Sequence, residues 1–130
     1  MNVSVAGFVA VGVGAALGAW SRMGLTIWLN HRHPNFPLGT FVANAIGGLL
    51  VGMALAYIEQ HPELSPAWRL FVITGLLGGL TTFSTFSAEV VTLIERGNMA
   101  WALAVGGGHL AASLVLTVVG IRLVRAFTQT

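Results

Sequence analysis

From Val3 to Ser21 the chain carries no charged side chain, and three further long apolar stretches follow at about residues 38–58, 68–94 and 99–124. A bilayer core about 30 Å thick needs about 20 consecutive apolar residues in a helix. Each stretch meets that length. The helical pattern of the first continues through Arg22 to Leu29, so its span is expected at about residues 3–29. Only 8% of the chain is charged, against about 25% in a typical soluble domain. A water-soluble fold of 130 residues could not hide so much apolar surface. The expected fold is therefore an all-α membrane protein, a single domain of four transmembrane helices over residues 1–130.

The breaks between spans are polar and short. His31-Arg32-His33-Pro34-Asn35 ends the first span, with Pro37 reinforcing the stop. Residues 59–66 hold Pro62 and Pro66 between the second and third spans, and Glu95-Arg96-Gly97-Asn98 makes a tight turn before the fourth. Trp28, Tyr57, Trp68 and Trp101 fall near span ends, where interfacial aromatics anchor helices. No positive charge precedes the first apolar run, which is also too long for a cleaved leader.

Several function classes are excluded by composition. Without cysteine there is no disulfide and no thiolate metal site. The net charge is only +2, and no basic stripe suits nucleic acid. The four histidines lack metal-ligand spacing, and no nucleophile is aligned with a base.

The basic residues are balanced across the membrane. Arg69, Arg122 and Arg125 lie toward one side, and Arg22, Arg32 and Arg96 toward the other. Orientation follows the Lys/Arg bias of short loops, and three against three gives no bias. Insertion in both orientations is expected. Two copies in opposite orientations can then pair about an axis in the membrane plane, the geometry of inverted repeats.

The third span is expected to depart from a regular helix. Gly75, Gly78 and Gly79 weaken it, and Thr81, Thr82, Ser84, Thr85 and Ser87 follow at once. Free backbone groups in hydrocarbon cost several kcal/mol each, so a break persists only where protein, water or an ion satisfies them. The competing expectation is a continuous, glycine-softened helix whose hydroxyls bond back to their own carbonyls. Phe83 and Phe86 are three residues apart. They are either packing residues or rings whose positive edges face a small anion. The pairs Gly14/Gly18, Gly48/Gly52 and Gly75/Gly79 allow close helix approach in lipid.

The run from Gly75 through Phe83, Phe86 and Ser87 to Glu89, preceded by Gly39-Thr-Phe-Val-Ala-Asn-Ala-Ile-Gly-Gly48, resembles the signature of the Fluc (CrcB) fluoride channels. The resemblance extends to chain length, four spans and the Gly18-x-x-x-Arg22 pair. It implies a dual-topology antiparallel homodimer in the cell's inner or plasma membrane. It also implies two fluoride pores, passive export that relieves fluoride toxicity, and a structural sodium ion at the dimer centre.

By the same resemblance, Asn44, Phe83 and Phe86 line the fluoride pore. Gly78 and Thr81 hold the sodium ion through their backbone carbonyls. Asn44 has two amide N–H donors for an anion, or else serves as an interhelical bond. Thr40 lies one turn before it, and Ser84 and Thr85 are candidate hydroxyl donors. His109, Ser113 and Thr117 recur every four residues on the fourth span and form a polar track beside the pore, the alternative being hydroxyls bonded within the helix. A serine is the familiar residue where His109 stands. Arg22 either draws anions into a vestibule or snorkels to the headgroups. Glu89 is an acid well inside a span, in a vestibule or paired with an arginine.

Two other membrane functions compete. A small multidrug transporter would need an acid in its first span, and none lies between Val3 and Ser21. An assembly subunit would not need Asn44, paired phenylalanines and a hydroxyl track together.

Overall fold

A computed structural model of the chain describes residues 2–128. The described residues form helices and no strand. Helix α1 spans Val5–Leu29 and α2 Leu38–Gln60. The third apolar stretch is composite: α3 (Pro66–Arg69), a π-helical segment (Leu70–Leu77), α4 (Gly78–Leu80) and, beyond a gap, α5 (Ser84–Glu95). Helix α6 covers Met99–Thr128. Four helical stretches, Val5–Arg32, Leu38–Gln60, Pro66–Glu95 and Met99–Thr128, are long and apolar enough to cross a membrane.

Local chemistry sets the ends. Ser4 caps α1, its hydroxyl accepting from Gly7 N–H at 3.2 Å. Ser65 caps α3 through Trp68 N–H at 3.2 Å, with Pro66 in the first turn. The end of α5 is a Schellman turn, in which Asn98 N–H reaches Leu93 O and Gly97 N–H reaches Ile94 O, both at 2.9 Å. Gly97 sits there at φ 72, a left-handed conformation that a Cβ would strain.

The bundle packs as two parallel pairs. Helix α1 lies along the π-helical segment and α4, and α2 lies along α6. Gly7, Gly14 and Gly18 meet Leu70, Gly75 and Gly79 in ascending order. Gly48 and Gly52 meet Ser113 and Thr117, and the Glu59–Arg125 ion pair at 3.0 Å continues the register outward. The approach is backbone on backbone. A Cβ on Gly18 would collide with Leu76 O, and one on Gly120 with Leu49 O. Small residues bring helices this close in lipid, where dispersion and polar contacts replace the hydrophobic drive.

Little side-chain mass is buried. One cluster is Ala43, Leu77 and Leu80; the other is Leu93, Ala102 and Val105, with Phe36, Phe86 and Trp101 packed on it. The outward faces stay apolar: Phe8, Trp20 and Ile27 on α1 and Leu103, Leu110 and Leu114 on α6 are all exposed. Such a surface needs lipid around it.

Candidate functional site

The site is built on the gap between α4 and α5. Three consecutive residues, Thr81, Thr82 and Phe83, lie outside both helices, and Thr81 is extended at φ −87, ψ 157. A continuous helix would bond Thr82 N–H to Gly78 O and Thr85 N–H to Thr81 O. Instead Thr82 N–H donates to Asn44 Oδ1 at 2.8 Å, and Thr85 N–H donates to the Thr82 hydroxyl at 3.1 Å. The carbonyls of Gly78 and Thr81 thereby lose their helical donors. Thr82 O accepts from Asn44 Nδ2 at 3.0 Å, and Gly79 O accepts from Arg22 Nε at 3.1 Å. Side chains of α1 and α2 thus satisfy the backbone that the break exposes, as an apolar setting requires.

The break opens on a groove of about 460 Å³ between α2, α5 and α6. Asn44, Gly78, Thr81, Phe83, Phe86, His109, Ser113 and Thr117 all line it, with Gly48, Val51, Thr82 and Leu110. No lining side chain carries a formal charge at neutral pH if His109 is neutral. The rings of Phe83 and Phe86 meet edge to face, 5.6 Å apart at 64°. Phe86 stacks on His109 at 4.7 Å, and Phe41 meets His109 edge-on at 5.3 Å. Phe83 is 79% exposed, so the groove is open along one flank.

The two sides of the break differ in polarity. Helix carbonyls point toward it from the α4 side, and the first N–H groups of the twelve-residue α5 point toward it from the other. The first end favours a cation and the second an anion.

Several expected site residues lie elsewhere or are already engaged. Thr40 is buried outside the groove, and its hydroxyl donates to Glu89 Oε1 at 2.7 Å. Glu89 therefore has a threonine partner, and its Oε2 is buried with no partner among the described residues. Ser84 is exposed beside the break, its Oγ 3.4 Å from the Thr82 hydroxyl. Thr85 lines a second cavity of about 300 Å³ near the 30–37 connection, together with His33, Glu89, Thr92 and Arg96. Arg22 is tied to the break through Gly79 rather than set in either cavity. The Thr117 hydroxyl lies 3.0 Å from Gly48 O and 2.8 Å from Ser113 O, so its hydrogen is engaged. The Thr81 hydroxyl bonds back to Leu77 O at 2.9 Å.

Three participants were not singled out from the sequence: the Thr82 backbone, the Gly79 carbonyl and Arg96. Backbone groups carry no residue-type signal. Arg96 reads as a turn residue in the sequence, and it lines the second cavity together with Glu89.

Comparison with known proteins bears on this arrangement. A family model described as CrcB-like protein, Camphor Resistance (CrcB), matches residues 9–121. A protein of Thiobacillus denitrificans named fluoride-specific ion channel FluC is 57% identical over 113 residues, covering 87% of this chain and 91% of the relative. Proteins of the same name from Cupriavidus metallidurans and Pseudomonas putida are each 52% identical, covering 92% and 87% of this chain and 95% and 89% of those relatives. The match takes in α2, the break and most of α6, and the chain belongs to the Fluc (CrcB) family.

Proposed function

We propose that this chain is a fluoride-selective channel, and not an enzyme, that exports fluoride passively across the cell's inner or plasma membrane and relieves fluoride toxicity. The observation that carries the proposal is the groove at the break. Aromatic rings, a buried imidazole, hydroxyls and the N-terminal end of α5 converge there, with no carboxylate in the lining. Relatives 57% and 52% identical over 87% and 92% of this chain are named fluoride-specific ion channels.

Selectivity follows from hydration. Fluoride is small and holds water tightly, so a pore must replace that shell with short donors and positive ring edges. A larger halide fits less well and gains less.

The open flank at Phe83 fits a second, inverted copy, and the balanced arginines allow both orientations. Such an antiparallel dimer would contain two grooves and hence two pores. The Gly78 and Thr81 carbonyls, freed at the carbonyl side of the break, would supply two oxygens per chain to a structural sodium ion. A topology reporter on the C-terminus tests the pairing: signal from both sides of the membrane supports it, and a single orientation removes it.

Bacteria stripped of their own fluoride exporters should regain growth on fluoride when they express this chain. No rescue by a chain shown to reach the membrane would refute the function.

A further inference from the structure

His109 lies in α6, only 3% exposed, against the groove. Its ring is clamped by Phe86 on one face and by the edge-on Phe41. Its Nδ1 lies 3.2 Å from Asn44 Nδ2. Its Nε2 is buried and has no hydrogen-bond partner among the described residues. A buried donor without a partner costs about 1–3 kcal/mol in a folded protein.

Which ring nitrogen carries the proton follows from Thr82. A backbone N–H only donates and a backbone carbonyl only accepts. Thr82 N–H therefore requires Asn44 Oδ1 where it stands, and Thr82 O requires Asn44 Nδ2 where it stands. The Asn44 amide cannot flip without breaking both bonds. Nδ2 has two hydrogens: one goes to Thr82 O, and the other faces His109 Nδ1. A donor facing Nδ1 makes that nitrogen the acceptor, and the ring proton then sits on Nε2.

The same bonds remove Asn44 from the free donors of the groove. Both of its amide hydrogens are engaged within the chain. The Thr117 and Thr81 hydroxyl hydrogens are engaged as well. Among the described residues that line the groove, the His109 Nε2–H is the buried side-chain donor left over.

We propose that His109 is a fluoride-binding residue of this pore, held by Asn44 in the Nε2–H tautomer so that this single N–H is kept for the dehydrated anion. The proposal rests on the channel function above. It divides the labour: Asn44 positions, by joining the break to the imidazole, and His109 binds. Held so, the imidazole offers the groove a donor and no lone pair, whereas a serine hydroxyl at that place would offer both.

The full-length protein in lipid bilayers tests this in two ways. In ¹⁵N-histidine-labelled protein, the His109 signals are assigned by their loss in His109→Phe. NMR should find Nε2 protonated and Nδ1 bare, and the Nε2–H resonance should move with added sodium fluoride but not with sodium chloride. A proton on Nδ1, or no response to fluoride, overturns the proposal. In liposomes, His109→Phe keeps an aromatic ring but no N–H. Its fluoride efflux should fall about tenfold or more, the size of one lost hydrogen bond to an ion. His109→Gln, which restores an N–H donor, should recover most of the flux. Unimpaired flux in His109→Phe overturns the His109 assignment alone, and absence of fluoride efflux from the unmodified protein overturns the channel function instead.

Discussion

Asn44 on α2 holds both backbone groups of Thr82, accepting from its N–H at 2.8 Å and donating to its carbonyl at 3.0 Å. A single side chain thus replaces the two helical bonds that Thr82 would make in a continuous helix, from its N–H to Gly78 O and to its carbonyl from Phe86 N–H. Asn44→Ala would leave both Thr82 groups without partners. Unfolding titrations in detergent should show a loss of about 1–3 kcal/mol, since interhelical hydrogen bonds in membranes are individually modest but a stranded backbone group is not. An unchanged midpoint would mean that the break is held by something else.

The parallel pairing of α1 with the third stretch depends on absent side chains. A Cβ on Gly18 meets the backbone of Leu76, Gly79 and Leu80, none of which can swing aside as a side chain could. Gly18→Val should yield little folded protein in membranes. Gly12 has nothing within 4 Å of a built Cβ, so Gly12→Ala should be neutral or stabilising by about 0.5–1 kcal/mol, the usual helix gain over glycine. Equal thermal stability of the two variants would contradict this packing.

Phe83 and Phe86 should matter through their ring edges rather than their bulk. Phe83→Ile and Phe86→Ile keep an apolar side chain but remove the ring quadrupole. Each should lower fluoride flux in liposomes by a factor of about 2–10, taking an aromatic edge contact as about 0.5–1.5 kcal/mol. Near-normal flux in both would leave the rings as packing residues.

Much of this architecture is legible in the primary structure because lipid is an unforgiving solvent. Uncharged runs such as Val3 to Ser21 have few alternatives to a spanning helix. The glycines and hydroxyls from Gly75 to Ser87 mark where the third stretch departs from regularity, and α4 does end at Leu80. The partners are another matter. Arg22 reaches Gly79 across 57 residues, and Asn44 reaches Thr82 across 38. No local periodicity reports such pairings. Glu89 illustrates the same limit: its sequence reading is a vestibule position or an arginine partner, and the fold brings it the Thr40 hydroxyl from 49 residues away. The π-helical winding begins at Leu70, ahead of Gly75, where the sequence is silent, since Leu70, Phe71, Val72 and Ile73 suit an ordinary helix as well.

The most direct test of the account is efflux from liposomes that contain the purified chain, loaded in turn with fluoride and with chloride and monitored by ion-selective electrodes. A groove that replaces water around a small anion predicts rapid fluoride efflux with chloride retained. Rapid chloride efflux, or fluoride efflux no faster than from protein-free liposomes, would contradict it.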